Sequence, residues 1–196
     1  MAFLEALVSP YGLLTVSMVI LLAGRYIFRQ RYLDCFDIIW KHINCFRKSN
    51  GKISYLSIIL YFIVPLLLAI SLVRIRNIDD SVTNILTVIV SILTSMFFTL
   101  LTLILDMRKG VKKNLRYNAG DAALSSKLLE EIYYALMFEI LVSVVILLLC
   151  FVELFAKQYS MICGLILYYL TFVLVTNLFM ILKRIFKVIN KEMDNM

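Results

Sequence analysis

Five long apolar runs constrain the fold of this chain more than any other feature. A helix needs about 20 mostly apolar residues to cross the hydrocarbon core of a bilayer. Hydrophobic residues make up 62% of the 196 residues, against about 45–50% in soluble domains. The sequence therefore predicts a single all-α domain, a polytopic transmembrane bundle. Its five spans are residues 3–28, 53–73, 84–105, 132–156 and 160–182.

The first of these runs is the least regular. Glu5 and Pro10 interrupt its start, and Arg25 lies near its end. Such a segment can instead be re-entrant or lie along the membrane surface, which would leave four true spans. In the second run Pro65 predicts a kink, because neighbouring helices can satisfy the carbonyl group that a proline frees.

The distribution of positive charge predicts the orientation. Seventeen of the twenty Lys and Arg residues fall between residues 25 and 52, between 106 and 131, or after residue 182. Lys and Arg accumulate in cytoplasmic loops of membrane proteins. We therefore expect the connectors 29–52 and 106–131 and the tail 183–196 in the cytoplasm, with the N-terminus outside.

The first connector contains an amphipathic helix. Apolar residues recur every three or four positions between Tyr32 and Phe46, which predicts a helix that lies on the anionic leaflet or packs on a neighbouring subunit. Cys35, His42 and Cys45 do not predict a zinc site, because structural zinc takes four ligands, usually in two close pairs.

Two basic clusters are candidates for contact with lipid headgroups or with a cytoplasmic partner. A continuous helix from residue 160 to 190 would be about 46 Å long, so its end would project beyond a hydrocarbon core of about 30 Å. Membrane anchoring explains the charges, so direct nucleic-acid binding is not expected. The clusters are Arg108, Lys109, Lys112, Lys113 and Arg116, followed by Lys183, Arg184 and Lys187.

Polar residues within the spans are the remaining candidates. Ser91, Ser95, Thr99 and Thr102 form one stripe on the third span, which predicts a helix–helix seam or, alternatively, a water-lined path. Asn177 in the fifth span favours a contact between helices.

The fourth span contains two glutamates. Glu153 lies near the outer end of the span, which predicts a carboxylate that reaches water. Glu139 lies deeper, where a carboxylate indicates a functional site. Alternatively, residues 125–139 form a surface helix and the span begins near residue 140.

The sequence lacks the motifs of a catalytic centre. It has one histidine, no HExxH, no GxSxG and no phosphate-binding glycine loop. We therefore expect no enzyme activity, no metal and no cofactor. Two functions remain: an oligomeric scaffold or sensor that recruits a cytoplasmic protein, and a pore-forming or channel-like effector.

In size, span clustering and basic connectors such as MRKGVKKNLR, the chain resembles the membrane subunit of bacterial antiphage defence systems, the KwaA family of the Kiwa system. The five predicted spans differ from the four spans of that family. The resemblance implies a homo-oligomer, a tetramer, in the bacterial inner membrane. It also implies a cytoplasmic DNA-binding partner, KwaB, and a response to infection. It assigns no functional residue.

Overall fold

The computed structural model of this protein describes four stretches of the chain: residues 35–46, 59–113, 119–155 and 160–194, with single positions at 16, 19 and 23. Of residues 110–113, 119–124, 191, 192 and 194 the backbone alone is described. The chain divides into two compact units, Met1–Asp37 and Ile38–Met196. Apart from the three single positions, the predicted first span lies outside the described residues.

All elements in these stretches are helical, which confirms the predicted all-α class. Pro65 is the second residue of the α-helix Val64–Ile75 and follows directly on a π-helical turn, Ile59–Ile63. In chain order the elements are α1 (Phe36–Asn44), a π-helical turn (Ile59–Ile63) that leads into α2 (Val64–Ile75), α3 (Asp80–Lys113), α4 (Ala119–Glu153) and α5 (Met161–Asp194).

Three of these helices are long and apolar enough to cross a membrane: Asp80–Lys109, Ser125–Glu153 and Met161–Asn190. They contain the whole of the predicted third span (84–105) and most of the fourth (132–156) and fifth (160–182). The predicted second span corresponds to a shorter apolar helix, Ile59–Ile75. The count of five spans therefore stays a prediction.

The long helices pack as a row in the order α3, α4, α5, α2. Close backbone contact in the described part of the chain joins neighbours in this row, so α4 and α5 are its interior members. Large apolar side chains with no more than 1% exposure fill the interfaces, among them Phe97 of α3, Leu136 and Ile146 of α4, and Leu167 of α5. The outward faces are apolar as well, as a lipid environment allows.

A tight connection, residues 76–79, joins α2 to α3. The Asp79 carboxylate accepts a hydrogen bond from the Val82 backbone N–H at 2.9 Å and caps α3. It also pairs with the Arg76 guanidinium. These bonds from Arg76 and from the backbone hold the pKa of Asp79 below its usual value. Gly164 lets α5 approach this connection, because an added Cβ would lie 2.6 Å from Asn77 Oδ1.

Candidate functional site

Polar residues meet at three levels of the α4–α5 interface. The Glu131 carboxylate lies 3.5 Å from the Arg184 guanidinium, the Glu139 carboxylate faces the Asn177 amide, and the Glu153 carboxylate faces the Cys163 thiol. Each of these three glutamates of α4 therefore has a polar neighbour on α5.

A single antiparallel register aligns all three levels. Moving along α4 from residue 131 to 139 and then 153 moves the partner on α5 back from 184 to 177 and then 163. The alignment places the C-terminal part of α5 beside the N-terminal half of α4. We call this the α1 end of the row, since α1 also contacts it, and the opposite end the loop end.

The middle level is the most deeply buried. Glu139, Asn177 and Ser143 each have 0% exposure. Ser143 follows Glu139 by one helical turn, so the two side chains share a face of α4. Neither carboxylate oxygen, neither amide atom nor the Ser143 hydroxyl completes a hydrogen bond with any described residue. Buried polar groups are normally satisfied, so this cluster is the strongest candidate site within the row.

Helix α4 continues unbroken through Glu139, and the apolar stretch long enough to span a membrane starts at Ser125. The point along α4 at which the span begins stays a prediction. The Glu139 side chain is enclosed by protein rather than held at a surface. The prediction of a water-facing Glu153 is wrong, because this side chain is only 7% exposed and one of its oxygens has no partner among the described residues.

Helix α1 is held at the α1 end by His42. Its imidazole stacks on the Phe138 ring, with centroids 4.1 Å apart and planes within 1°, and it meets Phe46 edge-on at 5.2 Å. Burial lowers the pKa of His42 to about 3, and the positive charge of Arg184 acts in the same direction. The ring is therefore neutral at pH 7 and packs as an aromatic residue.

Arg184 connects α5 to both α4 and the end of α1. Besides its ion pair with Glu131, it donates a hydrogen bond to the Cys45 carbonyl oxygen at 3.3 Å. Burial raises the pKa of the Cys45 thiol, and Arg184 partly offsets this effect. Both members of the ion pair are largely shielded, with 14% and 26% exposure. The guanidinium thus fixes three segments together.

Further contacts hold α1 against the row. We call the surface that α1 packs on, formed by Tyr61, Phe62, Tyr134, Phe138 and Arg184, the seat of α1. Phe46 packs against Tyr61 and Phe62 of the π-helical turn, at 5.2 and 6.0 Å between centroids. The Lys41 ammonium lies 4.9 Å from the Tyr134 ring centroid. Beside these contacts is a cleft of about 240 Å³, which is lined by Lys41, Asn44, Cys45, Lys127, Glu130, Glu131 and Tyr134.

The predicted hydroxyl stripe lies on the outer face of α3, not inside the row. Ser91, Ser95, Thr99 and Thr102 are all exposed. The hydroxyls of Ser91, Thr99 and Thr102 donate to backbone carbonyls of the preceding turn, at 2.7, 3.1 and 2.8 Å. Those bonds satisfy the hydroxyl donors within the helix. Within the second unit, therefore, the stripe is not a seam between described helices.

The predicted basic contacts have different environments. Lys183 and Lys187 are exposed, whereas Arg184 is engaged with Glu131 and Cys45. At the end of α3, Lys109 pairs with Asp106 at 3.1 Å and Arg108 is half-buried. The remaining predicted contacts are not placed: the side chains of Lys112 and Lys113 and the whole of Arg116 lie outside the described residues.

Comparison with protein-family models, curated proteins and solved structures gives no match to this chain.

Sequence reasoning singled out Glu139 and Asn177 but missed their pairing. It also missed the ion pair of Glu131 with Arg184 and the burial of His42. The matched spacing of polar residues on the fourth and fifth spans carries a usable signal, because antiparallel helices bring such series face to face. The stacking of His42 on Phe138 has no comparable signal in the sequence.

Proposed function

We propose that this protein is a multi-pass membrane scaffold and sensor that recruits a cytoplasmic protein partner. The seat of α1 is the observation that carries the proposal. His42 stacks on α4, and Arg184 of α5 bonds to Cys45 at the end of α1. A change in how α4 and α5 pack would therefore move α1. Such a linkage suits a protein that reports an event in the membrane to a surface beside it.

Charge asymmetry supports a cytoplasmic location for the α1 end. Among described side chains of the second unit, the α1 end carries seven Lys or Arg and three Asp or Glu. The loop end carries two Lys or Arg and three Asp or Glu. Basic residues favour the cytoplasmic side. The cations of the α1 end are Lys41, Arg108, Lys109, Lys127, Lys183, Arg184 and Lys187.

The partner surface that we propose is the exposed basic face of α5. Lys183 and Lys187 are one helical turn apart and both are free of described ion pairs. They lie in the part of α5 that follows the buried contacts of Asn177 and Met180. An acidic protein surface would complement this face, and anionic lipid headgroups would compete for it.

We extend the proposal to antiphage defence in the bacterial inner membrane. Its support is the resemblance to the membrane subunit of the Kiwa system, which also implies a tetramer and a KwaB-like partner. An oligomer fits the open row, because α3 has one long-helix neighbour within the described residues. In this proposal the exposed hydroxyl stripe of α3 forms the seam between copies.

The alternative is a pore-forming or channel-like effector. The buried carboxylate of Glu139 favours it, because charged groups within membrane helices commonly mark ion paths. The stripe on α3 favours it less, because hydroxyls that bond to their own helix have their donors occupied.

Co-purification distinguishes the two functions. The detergent-solubilised protein is captured together with the product of the adjacent gene, and the same preparation is tested for conductance in liposomes. We expect capture that Lys187→Gln weakens several-fold and that Arg74→Gln, an equal charge change at the loop end, leaves intact. Conductance by the isolated protein without any captured partner would contradict the scaffold function.

A further inference from the structure

The middle level of the α4–α5 interface contains buried polar atoms that make no hydrogen bond with a described residue. Several hydroxyls elsewhere in the long helices bond to the carbonyl one turn before them, as Thr94 does to Val90 at 2.7 Å and Thr171 to Leu167 at 2.8 Å, whereas the buried hydroxyl of Thr83 does not. The Ser143 hydroxyl makes no such bond. Its oxygen, two carboxylate oxygens of Glu139 and the amide oxygen of Asn177 are all buried without a partner among the described residues.

Among the described residues, none supplies a positive charge at this level. The nearest cation along α5 is Arg184, seven residues beyond Asn177 and therefore about 10 Å away along the helix. That guanidinium is already paired with Glu131 and bonded to Cys45. A buried carboxylate without a counter-charge is strongly unfavourable. Either a proton or a bound cation would remove that penalty.

The charge and the donor atoms define the ion. All four unpartnered acceptors are hard oxygens, which favour alkali and alkaline-earth cations over transition metals. A single carboxylate balances one positive charge, whereas a divalent ion would leave a surplus charge in an apolar interior. We propose that Glu139, Asn177 and Ser143 form a binding site for one alkali-metal cation, which a proton replaces on acidification.

This site goes beyond the recruitment of a partner and does not depend on it. Glu139 follows Phe138, the residue on which His42 stacks, so the ion would lie within one helical turn of the contact that holds α1. The test uses the purified full chain without any partner. Recruitment and ion binding can therefore fail separately.

The experiment measures thermal unfolding of the protein in lipid nanodiscs at pH 8. Sodium, potassium and choline chloride are compared at constant ionic strength, because choline is too large for the site. We expect sodium or potassium to raise the Tm by several degrees in a saturable manner, while choline does not. The alkali ion that raises the Tm more at the same concentration is the one that the site binds more tightly. Lowering the pH should weaken the response, as protons compete.

Variants connect the response to the three residues. Glu139→Gln should fold and lose the response, because a neutral amide needs no counter-ion. Glu130→Gln makes the same charge change on the same helix at a half-buried position and should retain it. Ser143→Ala keeps the carboxylate and should weaken apparent affinity about tenfold, which provides the readout if Glu139→Gln fails to fold.

Two results would overturn the site. Identical Tm values in sodium, potassium and choline at every pH would exclude an alkali cation, even if acidification alone stabilised the protein. A response that survives unchanged in both Glu139→Gln and Ser143→Ala would place the ion elsewhere.

Discussion

A neutral, buried histidine makes the seat of α1 sensitive to pH. The pKa of His42 is about 3 when α1 is docked, against about 6.5 for a free histidine. The undocked state therefore binds a proton more readily, so docking is favoured above pH 6.5 and weakens as the pH falls towards 3. The charged group that faces the ring from α5 is Arg184, and it opposes protonation too.

We predict that α1 undocks on mild acidification. At pH 5 the loss is about 2 kcal/mol, because each pH unit between the two pKa values contributes about 1.4 kcal/mol. Trp40 is the only tryptophan and lies on α1, so the anisotropy of its fluorescence should fall between pH 7.5 and 5. His42→Phe keeps a stacking ring without a titrating group, and its anisotropy should stay constant. Equal pH dependence in both proteins would contradict this role.

Arg184 offers a second test at the residue scale. Arg184→Met removes the ion pair and the bond to Cys45, and we expect a loss of about 1–3 kcal/mol in docking because both contacts are shielded from water. A double-mutant cycle with Glu131→Gln should give a coupling energy of at least about 0.5 kcal/mol. Lys183→Met, one residue earlier and exposed, is the matched control. Additive effects of the two substitutions would show that the pair contributes nothing.

Among the elements, α3 depends on a cap at its first turn. Asp79→Ala should lower the midpoint of thermal or denaturant unfolding, because the Val82 N–H loses its acceptor. Asp79→Asn keeps a capping oxygen but loses the charge that pairs with Arg76, so it should cost less. If both variants unfold alike, the ion pair rather than the cap is the stabilising contact.

The helices could be predicted from the sequence much better than their contacts. Apolar runs identified α3, α4 and α5, because length and hydropathy alone decide what can cross a bilayer. The spacing of Tyr32 to Phe46 predicted α1 but not which side would dock. Phe36 and Trp40 are each 62% exposed, while His42 is fully buried. A complementary aromatic surface on α4 decides the docked side, and periodicity within α1 contains no information about it.

The contacts within the candidate site could not be predicted from the sequence either. Depth along the chain singled out Glu139, and the polar side chain in the fifth span singled out Asn177. Their meeting depends on the register of two helices, which neither residue reveals alone. Burial of Glu153 was missed because its place near the end of a span suggested water, whereas α5 covers it through Cys163.

For the whole molecule, the charge asymmetry between the two ends predicts the topology. A reporter fused after Met196 should be active in the cytoplasm, and one fused at Ala2 should be active outside, which gives an odd number of crossings. The physical reason is the retention of Lys and Arg on the cytoplasmic side. A cytoplasmic reporter at Ala2 would reject the five-span arrangement and leave the four-span alternative.

The positions of the three polar levels restrict the register in which α4 and α5 can pack. The steps are 8 and 14 residues along α4 but 7 and 14 along α5. A slip of α5 by seven residues in one direction would set Glu139 against Leu170 and Glu131 against Asn177. In lipid, apolar side chains gain little by choosing one neighbour over another. The observed register is therefore favoured over the slipped one chiefly at the middle level, because the slip leaves the buried carboxylate of Glu139 beside an apolar side chain.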